Sequence, residues 1–137
     1  FYSTGPGRIT MAVSITQLPI EQQSFPERLS RDGAVVEFCG VVREGEGDSI
    51  ITGIEYETFA KMAEHQMTLI RARVMLEEGI SELECVHRVG FVSVGEASLY
   101  VRVVAPHRAE AFRAVMRFID ELKQLVPVWK NPVTAST

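Results

Sequence analysis

The sequence predicts an α+β domain in which two main helices pack on an antiparallel or mixed sheet. Three observations predict it. Runs rich in β-branched and aromatic residues recur along the chain, two longer stretches carry apolar residues at helical spacing, and most connections between them are short. A chain of 137 residues fits one compact domain, and its 46% hydrophobic and 23% charged residues are typical of folded globular proteins.

The first half of the chain predicts three strands. They cover Met11–Gln17, Gly33–Arg43 and Ile50–Glu57. The connection at 19–30 should contain one helical turn around Glu27–Leu29. The segment Glu44–Ser49 reads EGEGDS, which indicates an exposed loop.

A long amphipathic helix should follow from Thr58 to Glu78, and Gly79 stands where a helix is expected to end. Its apolar stripe is Phe59, Met62, Ala63, Ile70 and Val74. Two further segments, Leu83–Val92 and Ala97–Ala105, alternate like strands and are joined across Val94-Gly95-Glu96.

The last predicted helix runs from His107 to Leu125, between Pro106 and Pro127. Its expected apolar stripe is Phe112, Val115, Met116, Ile119 and Leu122. After Pro127 the chain should be extended.

The net charge of −4 argues against a nucleic-acid binder, but the charge is unevenly distributed. Residues 1–86 carry seven Lys/Arg against fourteen Asp/Glu, whereas residues 87–137 carry seven against four. The basic C-terminal part, which also holds two of the three histidines, therefore predicts a local site for an anionic small molecule. The sequence shows neither a membrane span nor a signal-peptide layout, so a cytoplasmic protein is expected. Residues 1–10 precede Met11 and should be a leader or vector-derived.

Several classes of site lack support. There is no GxSxG elbow, Walker-type loop, HExxH pair or dinucleotide fingerprint. Cys39 and Cys85 lie in strand-like runs, where a cysteine usually acts as a small buried hydrophobe. No metal site and no cofactor are expected, because the cysteines and histidines lack ligand spacing.

Two lysines near the C-terminus are candidates for chemistry. Lys123 falls in phase with the apolar positions Phe112, Met116 and Ile119. It either extends to water over its own methylenes, or it is partly buried, which would lower its pKa and make its amine a nucleophile or base. Lys130 alone looks like a surface lysine, but a chain that folds back at Pro127 would let both amines face one pocket.

Other basic residues suit an anionic ligand. His107 and Arg108 open a helix directly after Pro106, where free backbone amides favour a phosphate, although a solvated pair beside Glu110 is as plausible. Arg43 ends an apolar strand and could either close it or reach a ligand. His87 and Arg88 lie at a strand end, where packing and ion pairing is the simpler role.

Five ordered motifs resemble the large subunit of molybdopterin synthases, the MoaE family. They are GAVVEFCGVVRE, YETFAKMA, HRVGFVSVGE, HRAEAFRAV and ELKQLVPVWK. The resemblance extends from about Gly33 to Lys130, which is nearly all of the predicted domain.

The resemblance implies an α/β-hammerhead-like fold and a sulfurtransferase that converts cyclic pyranopterin monophosphate to molybdopterin. The sulfur would come from the thiocarboxylated Gly-Gly C-terminus of a small ubiquitin-like carrier, two carriers acting in turn. The family matches make Lys123 and Lys130 catalytic and place Phe38, Arg43, His107 and Arg108 in the substrate pocket. They also imply a homodimer within a heterotetramer and a pocket shared by both large subunits.

One position departs from the family pattern. The family usually continues after the Trp-Lys pair with a basic residue and a glutamate, whereas this sequence has Asn131 and Pro132 and ends without the usual extension. Proline cannot supply a carboxylate. Two alternatives therefore stay open: a non-catalytic binding or regulatory module of the same fold, and an unrelated α+β dimer that binds a phosphorylated metabolite.

Overall fold

The computed structural model describes residues 12–21 and 30–135. The helices are α1 (Ala60–Glu78) and α2 (Arg108–Leu125). The strands are β1 (Val13–Thr16), β2 (Ala34–Val41), β3 (Gly45–Glu46), β4 (Ser49–Thr58), β5 (Glu82–Arg88), β6 (Gly90–Ser93), β7 (Ala97–Ala105) and β8 (Val128–Thr134). The α+β prediction is confirmed.

The main sheet has the strand order β1-β5-β7-β2. β1 is parallel to β5 and the other pairs are antiparallel, as predicted for a mixed sheet. Both helices pack on one face of this sheet because their buried residues and alternate residues of β5 and β7 form one hydrophobic core. The core includes Met67, Ile70, Leu83, Val103, Phe118 and Leu122.

A smaller sheet is built around β4, which pairs with β3, β6 and β8. Its buried residues are Val42, Ile51, Ile54, Tyr56 and Val92. Val128, at the start of β8, packs against both cores, so the chain that leaves α2 is fixed between the two sheets.

Helix α1 ends as predicted. Gly79 adopts the left-handed conformation, with φ of 69°, and its N–H donates to the carbonyl of Met75 at 3.1 Å. The predicted apolar stripe is only partly right, because Phe59 and Met62 are 66% and 53% exposed, and Met67 is buried instead.

Helix α2 shows the same kind of difference. Phe112 and Met116 are 60% and 65% exposed, whereas Phe118, absent from the predicted stripe, is fully buried. The buried face centres on Ala111, Ala114 and Phe118, about a third of a turn from Phe112. Small alanines mark the face that packs closely on the sheet, and large apolar residues beside it stay accessible.

Three other expectations are corrected. The predicted strand Leu83–Val92 is two strands in different sheets, because Gly90 has φ of 85° and redirects the chain. The predicted loop Glu44–Ser49 contains β3, which forms a hairpin with β4. Cys39 is exposed, and only Cys85 is the buried hydrophobe that both were expected to be.

The predicted helical turn at Glu27–Leu29 and residues 1–10 lie outside the described residues. Among the described residues, no helix is long and apolar enough to cross a membrane. The described part of the chain also has no group of three or more His, Cys, Asp or Glu side chains placed to hold a metal ion.

Candidate active site

Ion pairing separates the basic residues into two sets. Half of the twelve Lys and Arg residues at 12–21 and 30–135 form ion pairs with carboxylates. The six that form none in this part of the chain are Arg31, Arg43, Lys61, Arg108, Lys123 and Lys130. Because these six residues form no ion pair there, their charges remain available to an anionic ligand. Four of the six are predicted site residues.

An open groove lies at the C-terminal end of α2. It has a volume of about 410 Å³ and is bordered by the first turns of α1, the end of α2 and the start of β8. Its lining consists of Met62, Gln66 and the continuous segment Lys123–Trp129. Trp129 is 49% exposed, and its ring meets the ring of Phe59 edge-on, with centroids 5.7 Å apart.

Lys123 lies in this groove and its side chain is exposed. Of the two alternatives for Lys123, exposure to water is the one found in the single chain, and partial burial is not. Its neighbours in helical phase, Phe112 and Met116, are exposed as well, so the stripe that it shares is an accessible face of α2 and not the core. The ammonium group can reach a ligand in the groove without displacing protein atoms.

Lys130 lies in β8 opposite Tyr56 of β4. Because neighbouring residues of a strand face opposite sides, Lys130 is on the other face of β8 from Trp129. It is exposed but is not among the groove-lining residues. The groove therefore contains one of the two predicted catalytic lysines, Lys123.

His107 and Arg108 stand at the N-terminal end of α2, where both are exposed. The backbone N–H of His107 donates to the Glu110 carboxylate at 3.1 Å, and His107 Nδ1 lies 3.3 Å from the same oxygen. The Glu110 carboxylate thus already accepts a hydrogen bond at the helix start, where a phosphate was predicted to bind. Arg108 keeps its charge without a carboxylate partner in the described residues.

The strand β2 places Phe38 and Arg43 relative to the ends of α2. Ala34 pairs with Ala105 beside the start of α2, whereas Val41 pairs with Ala97 at the far end of β7. Arg43 follows Val41 and is exposed, and Phe38, 36% exposed, lies between the two ends.

The predicted site residues therefore fall into two groups. Arg108 and Lys123 are fifteen residues apart on one helix, a separation of about 22 Å along its axis. Arg43 lies toward the Lys123 end, because the register of β2 runs opposite to that of β7. One chain cannot bring His107 and Arg108 to a small ligand held at Lys123.

His87 and Arg88 have the packing and ion-pairing roles that the sequence favoured. His87 is buried, its ring contacts Tyr56 edge-on at 5.5 Å, and burial lowers its pKa below the usual 6.5. Arg88 pairs with Glu96 at 3.2 Å. Sequence reasoning missed Gln66 and the Phe59–Trp129 ring pair, although Gln66 follows Met62 by four residues and so shares its side of α1.

The sequence profile of the MoaE protein family matches residues 15–125, most of the chain. The chain belongs to the MoaE family. The matched range includes all predicted MoaE site residues except Lys130.

Individual relatives agree with the MoaE assignment. The chain is 31% identical over 121 residues to a molybdopterin synthase catalytic subunit of Bacillus subtilis, covering 87% of this chain and 77% of that protein. It is 33% identical to the corresponding subunit of Pyrococcus abyssi, covering 95% and 88%. A crystal structure of molybdopterin synthase from Staphylococcus aureus superposes with a TM-score of 0.86 at 28% identity, covering 94% and 96%.

These comparisons confirm the resemblance seen in the five motifs and the predicted fold class. They place the chain among enzymes of molybdenum cofactor biosynthesis. The departure at Pro132 is located in β8, where this residue is exposed and pairs with Ile54. A proline is compatible with a strand at the margin of a sheet, so the change is accommodated by the fold.

Proposed function

We propose that this chain is the catalytic subunit of a molybdopterin synthase and transfers sulfur to cyclic pyranopterin monophosphate. The sulfur donor is the thiocarboxylated Gly-Gly C-terminus of a small ubiquitin-like carrier. The exposed amine of Lys123 in an open groove is the observation that carries the proposal, because such a groove admits an extended tail and gives its anionic end a cation.

The unpaired cations fit the chemistry of the transfer. A thiocarboxylate and a phosphorylated pterin are both anions, so their approach is opposed by charge repulsion. Arg43, Arg108 and Lys123, none of which is neutralised by a carboxylate of the described chain, would lower this repulsion and stabilise charge in the transition state. Lys123 is assigned as a general base or as the site of a transient covalent link, and Lys130 as a ligand-holding group.

The pocket is proposed to be shared by two chains of a homodimer. The separation of about 22 Å between Arg108 and Lys123 supports this arrangement, because the two residues can serve one substrate only if they come from different subunits. One carrier at each outer end would complete a heterotetramer.

Single-turnover conversion of the pterin substrate with thiocarboxylated carrier tests this function. We expect product from the parent protein and at least a hundredfold slower formation by Lys123→Ala. Lys61→Ala is the matched control, because Lys61 is also exposed and unpaired in the described chain but does not line the groove. Carrier binding without any product from the parent would favour the non-catalytic module and direct attention to Pro132.

A further inference from the structure

The groove that contains Lys123 presents polar groups with no partner in the described chain. Gln66 projects from α1 and is half-buried, yet its side-chain amide makes no hydrogen bond to any group of residues 12–21 or 30–135. A glutamine amide has two donors and a carbonyl acceptor. A polar group that is partly desolvated and unpaired is available to a ligand that enters the groove.

The end of α2 leaves carbonyl groups without helical donors in three residues that line the same groove. Pro127 has no N–H, so the carbonyl of Lys123 lacks the donor four residues ahead that it would have inside a helix. The carbonyls of Gln124 and Leu125 likewise accept no backbone hydrogen bond from the described residues. All three residues line the groove.

The remaining lining is apolar or cationic. Met62, Val128 and Trp129 provide apolar surface, and Lys123 provides a positive charge. Acceptor carbonyls, one amide, an apolar wall and a cation together match an extended peptide that ends in an anionic group. Its main-chain N–H groups need acceptors, its carbonyls need donors, and its terminus needs a cation.

We propose that Gln66 binds the main chain of the carrier's C-terminal tail and holds it in the groove with its terminus at Lys123. This inference rests on the proposed function and adds a tail-binding residue on α1 to it. A tail without side chains lets its backbone approach the amide closely, which is the property of consecutive glycines.

The test is calorimetric titration of the cognate carrier, in its free carboxylate form, into the parent protein and Gln66→Leu. We expect Gln66→Leu to raise Kd roughly threefold to tenfold, as the loss of one neutral hydrogen bond predicts. With a carrier that lacks its two terminal glycines, the two proteins should bind equally. Gln17→Leu, a change at an exposed glutamine outside the groove, should leave both titrations unchanged.

A second variant and a rate measurement separate tail binding from a general disturbance of the fold. Gln66→Glu places a carboxylate near the anionic terminus and should weaken binding of the intact carrier more than Gln66→Leu does. The single-turnover rate constant at saturating loaded carrier should stay within about twofold of the parent's for Gln66→Leu. The carrier concentration that gives half of this rate should rise instead.

The outcomes distinguish this inference from the proposed function. Equal Kd values for parent and Gln66→Leu, or an equal loss with the truncated carrier, would overturn the role of Gln66 while parent turnover upholds the enzyme. A tail-dependent effect of Gln66→Leu in a parent that forms no product would support tail binding and reject the enzyme. A parent that does not bind the carrier would overturn both.

Discussion

The guanidinium of Arg102 donates two hydrogen bonds to Oε1 of Glu84, from Nε at 3.0 Å and from Nη2 at 2.6 Å. Both side chains are buried, Arg102 completely. Both lie on the face of the main sheet that points away from the helices. On the same face, Arg102 of β7 is flanked by Glu84 of β5 on one side and by Glu37 of β2 on the other. A charged pair thus occupies the centre of a sheet face where hydrophobic residues are the rule.

Arg102→Leu should lower the free energy of unfolding by about 3–5 kcal/mol, because it leaves the Glu84 carboxylate buried without its cation. The double variant Glu84→Leu/Arg102→Leu should recover part of this loss. Urea unfolding gives both values, and Arg73→Leu is the control, since its pair with Glu121 is exposed and worth about 1 kcal/mol or less. A loss for Arg102→Leu no larger than that of the control would contradict the importance of the buried pair.

The stability of the protein should fall as the pH drops below about 6.5. Burial lowers the pKa of His87, so the unfolded chain takes up a proton in this range before the folded chain does. The contribution of neutral His87 is complete above pH 6.5 and is lost toward its lower folded-state pKa, with a slope of at most about 1.4 kcal/mol per pH unit.

Unfolding measured between pH 5 and 8 should show this slope in the parent and in His65→Phe, whose histidine is exposed. His87→Phe should remove it while keeping the ring contact with Tyr56. The pKa values of Glu78 and Glu121 are lowered by hydrogen bonds from arginines. Protonation of these carboxylates therefore changes the free energy of unfolding only at more acidic pH. An unchanged slope in His87→Phe would rule out this histidine as its source.

Inactive variants from the two groups of site residues should complement each other. In a co-expressed mixture of Lys123→Ala and Arg108→Ala chains, half of the dimers are mixed and each of these has one intact pocket. About one quarter of the parent activity should return, whereas either variant alone stays inactive. Lys123→Ala mixed with Arg43→Ala should recover none, because these residues belong to the same end of one chain. Failure of the first mixture to recover activity would argue for a pocket within one subunit.

Gly53 should tolerate no side chain. A Cβ there would lie 2.5 Å from the carbonyl oxygen of Val92 and 2.5 Å from the ring of Phe91, and the carbonyl cannot withdraw without moving β6. Gly53→Ala should therefore lower the free energy of unfolding by about 1–3 kcal/mol. Gly45→Ala, with no atom within 4 Å of the added Cβ, is the matched control and should change it by less than about 0.5 kcal/mol. Equal thermal midpoints for the two variants would show that the strands can separate at low cost.

The sequence alone determined the helices, most strands and the position of Gly79 at the end of α1. These features depend on periodicity, β-branched composition and backbone preference, which are properties of a few adjacent residues. The residues proposed for chemistry were also found in the sequence, from the helical phase of Lys123, the position of His107 and Arg108 at a helix start, and the five family motifs. Gln66 was not, since an unpaired amide is recognisable only once its surroundings are known.

Only the tertiary structure decided which surfaces are covered. It buried Phe118 and exposed Phe112 and Met116, since burial depends on what lies across from a residue and not on its hydrophobicity. It assigned β5 and β6 to different sheets at Gly90, because strand pairing joins segments distant in sequence. It also separated Arg108 from Lys123 by the length of a helix, which is why one chain holds both halves of the proposed pocket but cannot bring them together.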